Sequence, residues 1–203
     1  AAAWELQPAA MELEGGGAVA REGQAPGATA GAGAPALLLD VSSLLSEDEL
    51  RAVTGYAGAF DVGRLDDRPR TEFYDTRHFK AQGQPESFDV VVRVWRLGAP
   101  AAEEQYRRIL ADLPNATRAD AVGDVAVRTE AAAARALAFL LRSQGTVVTV
   151  TCGTKQCTDP GMLDRLAKLV ESRVAELPAP APAAGSAAPS PAVPASPAAE
   201  PAP

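Results

Sequence analysis

Residues 146–160 read TVVTVTCGTKQCTDP and combine two structural signals. The run Thr146–Thr151 is wholly β-branched, which favours a buried strand. The pair Asp159-Pro160 marks the start of a helix, because Asp caps a helix N-terminus and Pro fits its first turn. Between these signals lie Cys152 and Cys157, the only cysteines of the chain. The stretch therefore predicts a strand and a helix joined by a turn that carries both thiols.

The cysteine pair admits three interpretations. A structural disulfide would close a small loop, stabilise the fold by about 2 kcal/mol, and indicate an oxidising compartment. A reactive dithiol would use Cys157 just before a helix N-terminus, a position that lowers thiol pKa values, but C-x4-C is not the C-x-x-C spacing of thioredoxin-like sites. A metal site would need further ligands, and the chain has one histidine, His78. We favour Cys152–Cys157 as a structural disulfide, ahead of a redox pair and a metal site.

Composition divides the chain of 203 residues into three parts. Residues 1–36 are rich in Ala, Gly and Glu, and residues 178–203 contain 9 Pro and 11 Ala. Neither segment has enough large apolar side chains to offset chain entropy, so we expect both to be disordered, the tail favouring polyproline-like conformers. Residues 37–177 are expected to form a single domain with its own core.

Hydrophobic periodicity predicts eight elements within that domain. Helices are expected over 47–54, 100–113 and 160–176, and strands over 71–80, 87–97, 124–129, 134–142 and 146–152. Residues 134–142 are ambiguous, because their Ala and Leu content favours a helix whereas their position before a turn favours a hairpin. The polar section 58–70 is interpreted as a loop.

The resulting order, α-β-β-α-β-β-β-α, predicts an α+β fold. We expect a mainly antiparallel sheet of about five strands with the three helices packed against one of its faces.

Two motifs carry a resemblance to known proteins. The first is residues 44–50, which read LLSEDEL, with a capping box from Ser46 to Glu49 and a helix stop at Gly55. The second lies near the end of the domain, where a strand and a cysteine-bearing turn precede a helix that contains LDRLAKLV at residues 163–170. This layout resembles the small lipoprotein and sensor-type domains of bacterial cell envelopes, some with PsbP-like folds. Their pattern has Glu where this chain has Asp48. The resemblance covers most of residues 40–177 and implies a mainly non-catalytic domain, but no functional residue carries over.

Charge and hydropathy limit the classes of partner. The net charge is −7, and no basic cluster interleaved with aromatic residues is present, so we expect no nucleic-acid binding. The longest apolar runs are too short to span a bilayer. The chain opens at Ala1 rather than Met, which fits a mature exported protein or a piece of a longer one. Membrane contact is expected only through an N-terminal anchor that this chain does not contain.

One candidate binding patch lies on the strand at 87–97. Trp95 and Arg93 are expected on its half-exposed side, with Tyr74 or Phe79 on the neighbouring strand, and aromatic and Arg side chains are enriched at interfaces. The alternative, which we favour, is that helices cover this face and that Trp95 belongs to the core.

Catalytic and cofactor motifs are missing from the sequence. His78 has no pattern of triad partners around it, and the glycine run at 15–17 lacks the strand and Lys of a phosphate loop. The acidic residues of 61–70 alternate with arginines and lack EF-hand spacing. We therefore predict no catalytic residue, no metal site and no cofactor.

Three functions follow as hypotheses. We favour a non-catalytic, exported or envelope-associated binding or sensor-type domain in the periplasm or cell envelope, with an envelope protein or a small ligand as partner. The alternatives are a structural accessory subunit of an envelope assembly and a thiol–disulfide oxidoreductase that uses Cys152 and Cys157.

Overall fold

Seven strands and three helices make up the computed structural model, which describes residues 37–177. The strands are β1 (Phe60–Gly63), β2 (Tyr74–Ala81), β3 (Val90–Arg96), β4 (Thr117–Ala119), β5 (Val125–Glu130), β6 (Ala134–Leu141) and β7 (Thr146–Gly153). The helices are α1 (Glu47–Thr54), α2 (Ala99–Asp112) and α3 (Pro160–Val174), and single 3-10 turns cover Glu86–Phe88 and Arg142–Gln144. The expectations for residues 1–36 and 178–203 lie outside the described residues.

The strands form one antiparallel sheet in the order β1-β2-β3-β7-β6-β5-β4. The last strand of the chain, β7, thus lies in the middle, between β3 and β6. Its β-branched residues suit this position, because all of β7 except the half-buried Thr151 is buried. The other six strands lie on either side of β7, in the order given above.

The larger core lies between the sheet and the helices α1 and α3. It takes alternate residues of the strands, including Phe79, Val92, Phe139, Val150 and both cysteines. The buried stripe of α3 closes it and consists of Leu163, Leu166, Ala167, Val170 and Val174. This face therefore holds most of the apolar area that stabilises the fold.

A second, smaller core lies on the opposite face, beneath α2. There Tyr74, Trp95, Leu140 and Val147 form one row across β2, β3, β7 and β6, and Tyr106 of α2 packs onto it. The sheet is consequently covered on both faces, which explains why the central strands are nearly continuous runs of apolar residues.

Two glycines lie where the chain passes from β3 to the second face of the sheet, at the start of α2. Gly98, with φ of 80°, precedes α2, and Gly145, with φ of 55°, lies in the turn between β6 and β7. The Gly145 carbonyl accepts hydrogen bonds from the amides of Leu97 (3.0 Å) and Gly98 (3.1 Å). A Cβ on Gly145 would overlap the backbone of Gly98, so only glycine permits this close crossing.

The predicted architecture was wrong in three respects. The sheet has seven strands rather than about five, the order of elements differs from α-β-β-α-β-β-β-α, and the helices pack on both faces rather than one. The two missed strands, β1 and β4, have four and three residues and lie at the sheet edges, where they carry almost no periodic signal. The expectation of helices on one face failed because a strand buried on both faces, such as β7, shows no alternation that would reveal the second helix layer. The favoured alternative for Trp95, burial beneath a helix, is confirmed.

Several predicted elements are confirmed. α1 covers residues 47–54, with the capping box of Ser46 and Glu49 formed and Gly55 at its end. The ambiguous segment at 134–142 is a strand, paired with β5 and β7. The fold is α+β with an antiparallel sheet. Within residues 37–177, no helix has the length and apolarity needed to cross a bilayer.

An ion pair joins the first and last helices. Arg173 of α3 donates hydrogen bonds from both guanidinium ends to the carboxylate of Glu49 in α1, one of them 2.7 Å long. These hydrogen bonds, with those from Ser46, lower the pKa of Glu49 from 4.5 to about 2. The carboxylate is therefore ionised over the whole range in which the protein is expected to work.

Replacing Glu49 by Gln should remove a pH-dependent stabilisation. Because the folded-state pKa is lowered, the ionised group stabilises the fold above its unfolded-state pKa, and this stabilisation is lost as the pH falls toward 2. We expect the loss of unfolding free energy in Glu49→Gln to be largest above about pH 5 and to shrink at lower pH. Urea denaturation at a series of pH values measures this loss, with Glu86→Gln, a change at an exposed glutamate, as control. A loss that stays constant down to about pH 2 contradicts the assignment.

Candidate functional site at the disulfide edge

Cys152 and Cys157 are joined as a disulfide. Their sulfurs lie 1.97 Å apart, their Cα atoms are 5.9 Å apart, and both residues are fully buried. Cys152 belongs to β7, whereas Cys157 lies in the turn before α3. The predicted disulfide is thus present and ties the end of the central strand to the approach of the last helix.

The turn inside the disulfide loop contacts α1. Gln156 is buried and donates from Nε2 to the hydroxyl of Thr54, the last residue of α1, over 2.8 Å. The amide of Cys157 returns to the carbonyl of Gly153 over 2.8 Å. The loop therefore fixes the end of α1, which lies about a hundred residues earlier in the chain.

The same loop also holds the 3-10 turn before β3. Lys155 donates its amide to the Ser87 carbonyl (2.9 Å), and Gly153 donates its amide to the Asp89 carbonyl (2.8 Å). A Cβ on Gly153 would overlap the carbonyl group of Ser87. Glycine at this position thus allows the turn at Glu86–Phe88 to lie directly against β7.

Two aromatic side chains meet where these segments converge. The ring of Tyr56, just after α1, lies 5.9 Å from the ring of Phe88 and 5.1 Å from that of Phe60. Tyr56 and Phe88 are half-buried, whereas Phe60 is buried beneath them. We call Tyr56, Phe88 and the underlying Phe60 the aromatic edge.

The aromatic edge is held rigidly from below and from one side. Phe60 packs edge-on against Phe79 in the core, with ring centroids 6.1 Å apart. Arg51 of α1 stacks over the Phe60 ring at 5.9 Å and donates to the carbonyl of Gly58 (3.1 Å). Half-exposed rings in a fixed frame can bind an apolar surface at little entropic cost, since few torsions remain to be ordered.

The four residues of the candidate patch predicted from the sequence lie in different parts of the structure. Trp95 and Tyr74 contact each other, with ring centroids 5.3 Å apart, but α2 covers both. Phe79 lies on the opposite face, fully buried in the larger core. Arg93 is half-buried and pairs with Asp67 over 3.2 Å. The structure therefore brings Tyr74 and Trp95 together but does not join the four residues in one surface.

Charged residues of the loop at 64–70 contact neighbouring side chains of the sheet. Asp67 accepts a hydrogen bond from the Tyr74 hydroxyl (2.8 Å). The pKa of Tyr74 is raised, mainly because the side chain is buried and secondly because of this hydrogen bond. Arg64 contacts the buried carboxylate of Asp75 over 2.6 Å. Between residues 37 and 177, no group of three or more His, Cys, Asp or Glu is placed to hold a metal ion.

His78 and two surface clefts complete the polar features. His78 lies 3.2 Å from Asp89, with Nε2 toward Oδ2. A cleft of about 310 Å³ beside α3 contains Arg128 and Arg135, but these pair with Asp164 (3.1 Å) and Glu130 (2.9 Å). A second cleft of about 410 Å³ is lined by Ser43, Arg173 and the last described residues. Neither cleft presents an arginine that lacks an acidic partner.

The sequence does not predict the aromatic edge. Phe88 lies in the turn before β3 and Tyr56 follows the helix stop at Gly55, but nothing in the sequence links the two. They meet where the disulfide loop contacts both segments, at Thr54 and Ser87. A non-local contact of this kind leaves no periodic pattern.

Comparison with known proteins does not assign a family. No protein-family model matches the chain. No curated protein matches it. Among solved structures, a GTP binding regulator from Thermotoga maritima shows 13% sequence identity over 63% of this chain and 89% of its own, with a TM-score of 0.36. So low a TM-score supports no argument about fold or function.

Replacing Gly153 by Ala should disturb the aromatic edge and the fold together. The added methyl group would overlap the Ser87 carbonyl, so the turn at Glu86–Phe88 must move, at a cost of about 2 kcal/mol in unfolding free energy. Gly63→Ala is the control, because its new methyl group meets no neighbour and should change stability by less than about 0.5 kcal/mol. Urea denaturation of both variants tests this, and equal effects would contradict it.

Proposed function

We propose that this chain is a non-catalytic binding domain that acts outside the cytoplasm, in the periplasm or cell envelope, and recognises its partner through the aromatic edge. The observation that supports the proposal is the placement of two half-buried rings, Tyr56 and Phe88, side by side and next to a loop that a buried disulfide closes. An envelope protein or a small apolar ligand fits the chemistry of this surface.

The disulfide supports the location. Bonds of this kind persist in oxidising compartments and are rare in the cytosol, where thiols are kept reduced. The resemblance of the LLSEDEL segment and of the cysteine-bearing turn to envelope lipoprotein and sensor-type domains points to the same location, and only its first motif is separate from the disulfide.

Burial of the sulfurs argues against the oxidoreductase alternative. Thiol–disulfide exchange begins when an external thiolate attacks one sulfur, which requires access to it. Both cysteines are fully buried, and the carbonyl of Cys157 is further held by Arg135. The bond therefore suits a structural role better than a catalytic one.

Cell fractionation tests the location and the state of the thiols. We expect the protein in the envelope or extracellular fraction of the cells that produce it, with no thiol that a labelling reagent can modify before reduction. After unfolding and reduction, two thiols per chain should be labelled. Recovery from the cytosol with both cysteines reduced would contradict the proposal.

Photocrosslinking tests the binding surface. With p-benzoylphenylalanine in place of Phe88, irradiation of intact cells should give a defined adduct with an envelope component, because the ring at this position is half-exposed. The matched control carries the same group in place of Arg107, an exposed residue of α2 on the other side of the sheet. Equal adducts from both positions, or none from position 88, would contradict the role of the aromatic edge.

A further inference from the structure

We infer that the aromatic edge also binds a segment of its own chain, the proline-rich stretch at residues 191–197. This inference rests on the proposed binding role of the aromatic edge and names one occupant for it. The stretch reads PAVPASP and lies beyond the described residues, in the C-terminal tail.

The prolines of this stretch have a spacing that suits a polyproline II helix. Pro191, Pro194 and Pro197 recur at every third position, whereas the earlier prolines at 178, 180 and 182 recur at every second. A polyproline II helix has 3 residues per turn, so prolines three apart share one face and stand roughly 9 Å apart along the axis. Residues 191–197 can thus present a continuous pyrrolidine face, which the earlier prolines cannot.

The chemistry of the two surfaces matches. Proline-rich helices are recognised by grooves and surfaces lined with aromatic rings, because the ordered helix loses little entropy when it binds. Tyr56 and Phe88 provide two half-exposed rings 5.9 Å apart. Neither those rings nor residues 191–197 carry a charge, so contact between them desolvates no ion.

The geometry of the described chain allows the contact within one molecule. The last described residue, Leu177, lines the same cleft as Ser43, and Arg173 in the preceding turn binds Glu49 of α1. The eight residues of α1 rise about 12 Å toward Tyr56. Residues 178–190 in an extended polyproline conformation would span on the order of 40 Å. The tail therefore has ample length to reach the aromatic edge.

Attachment to the same chain makes a weak contact effective. A tethered segment meets its site at an effective concentration in the millimolar range, so a modest affinity suffices for occupancy. A partner of the aromatic edge would then have to displace the tail, which would make partner binding conditional.

The test uses the purified full chain with p-benzoylphenylalanine in place of Phe88. At low protein concentration, irradiation should produce a crosslink within one chain that mass spectrometry maps to residues 191–197. Combining this with P191A, P194A and P197A should lower the yield of that crosslink at least about fivefold, the effect of losing roughly 1 kcal/mol of contact. The matched control, P178A with P180A and P182A, removes three prolines at the other spacing and should leave the yield unchanged.

The possible results separate this inference from the proposed function. No crosslink to the tail, or equal loss in both triple variants, overturns the inference, as does a crosslink that forms only between two copies of the chain. If position 88 still yields an envelope adduct in cells, the proposed function stands while the inference fails. Absence of both products overturns both.

Discussion

The covalent link between Cys152 and Cys157 fixes the point at which the central strand and three distant segments of this fold converge. It joins the end of the central strand β7 to the approach of α3, and the turn that it closes contacts both the end of α1 and the segment before β3. Since Gly153 inside this turn leaves no room for a side chain, the packing of the Ser87 region depends on it directly. A small loop thereby organises segments that lie far apart in the chain.

The sheet is buried on both faces, and this decides which aromatic residues remain available for binding. α2 crosses to the second face at Gly98 and Gly145 and covers Tyr74 and Trp95. The aromatic side chains in the centre of the sheet are thus used for packing. Among the half-buried rings of residues 37–177, Tyr56 and Phe88 lie together where α1 ends and β3 begins, beside the disulfide loop, whereas Phe73 lies elsewhere, just before β2.

Several charged and polar groups near these surfaces pair with one another. Asp67 binds Tyr74 and Arg93, Asp75 binds Arg64, and Glu49 binds Arg173. Such pairs orient loops and helices at modest net energy, because solvent screens the exposed members. We propose binding as the function because the aromatic edge offers apolar contact at a site where these polar groups are already paired.

Much of the local structure could be predicted from particular residues. Ser46 and Glu49 determine the start of α1, Asp159 and Pro160 the start of α3, and the β-branched run before Cys152 the central strand. These signals act over a few residues through caps, dihedral preferences and side-chain periodicity, so they can be read along the chain. The cysteine spacing likewise predicted the disulfide.

Tertiary structure alone decided the rest. Whether Trp95 would be exposed depended on which face α2 covers, and the short strands β1 and β4 exist only because longer neighbours offer them unpaired backbone groups. The aromatic edge arises from a contact between residues 56 and 88, imposed by a loop at 153–157. A contact between segments so far apart is a property of the packed chain, because neither segment carries a local preference for the other.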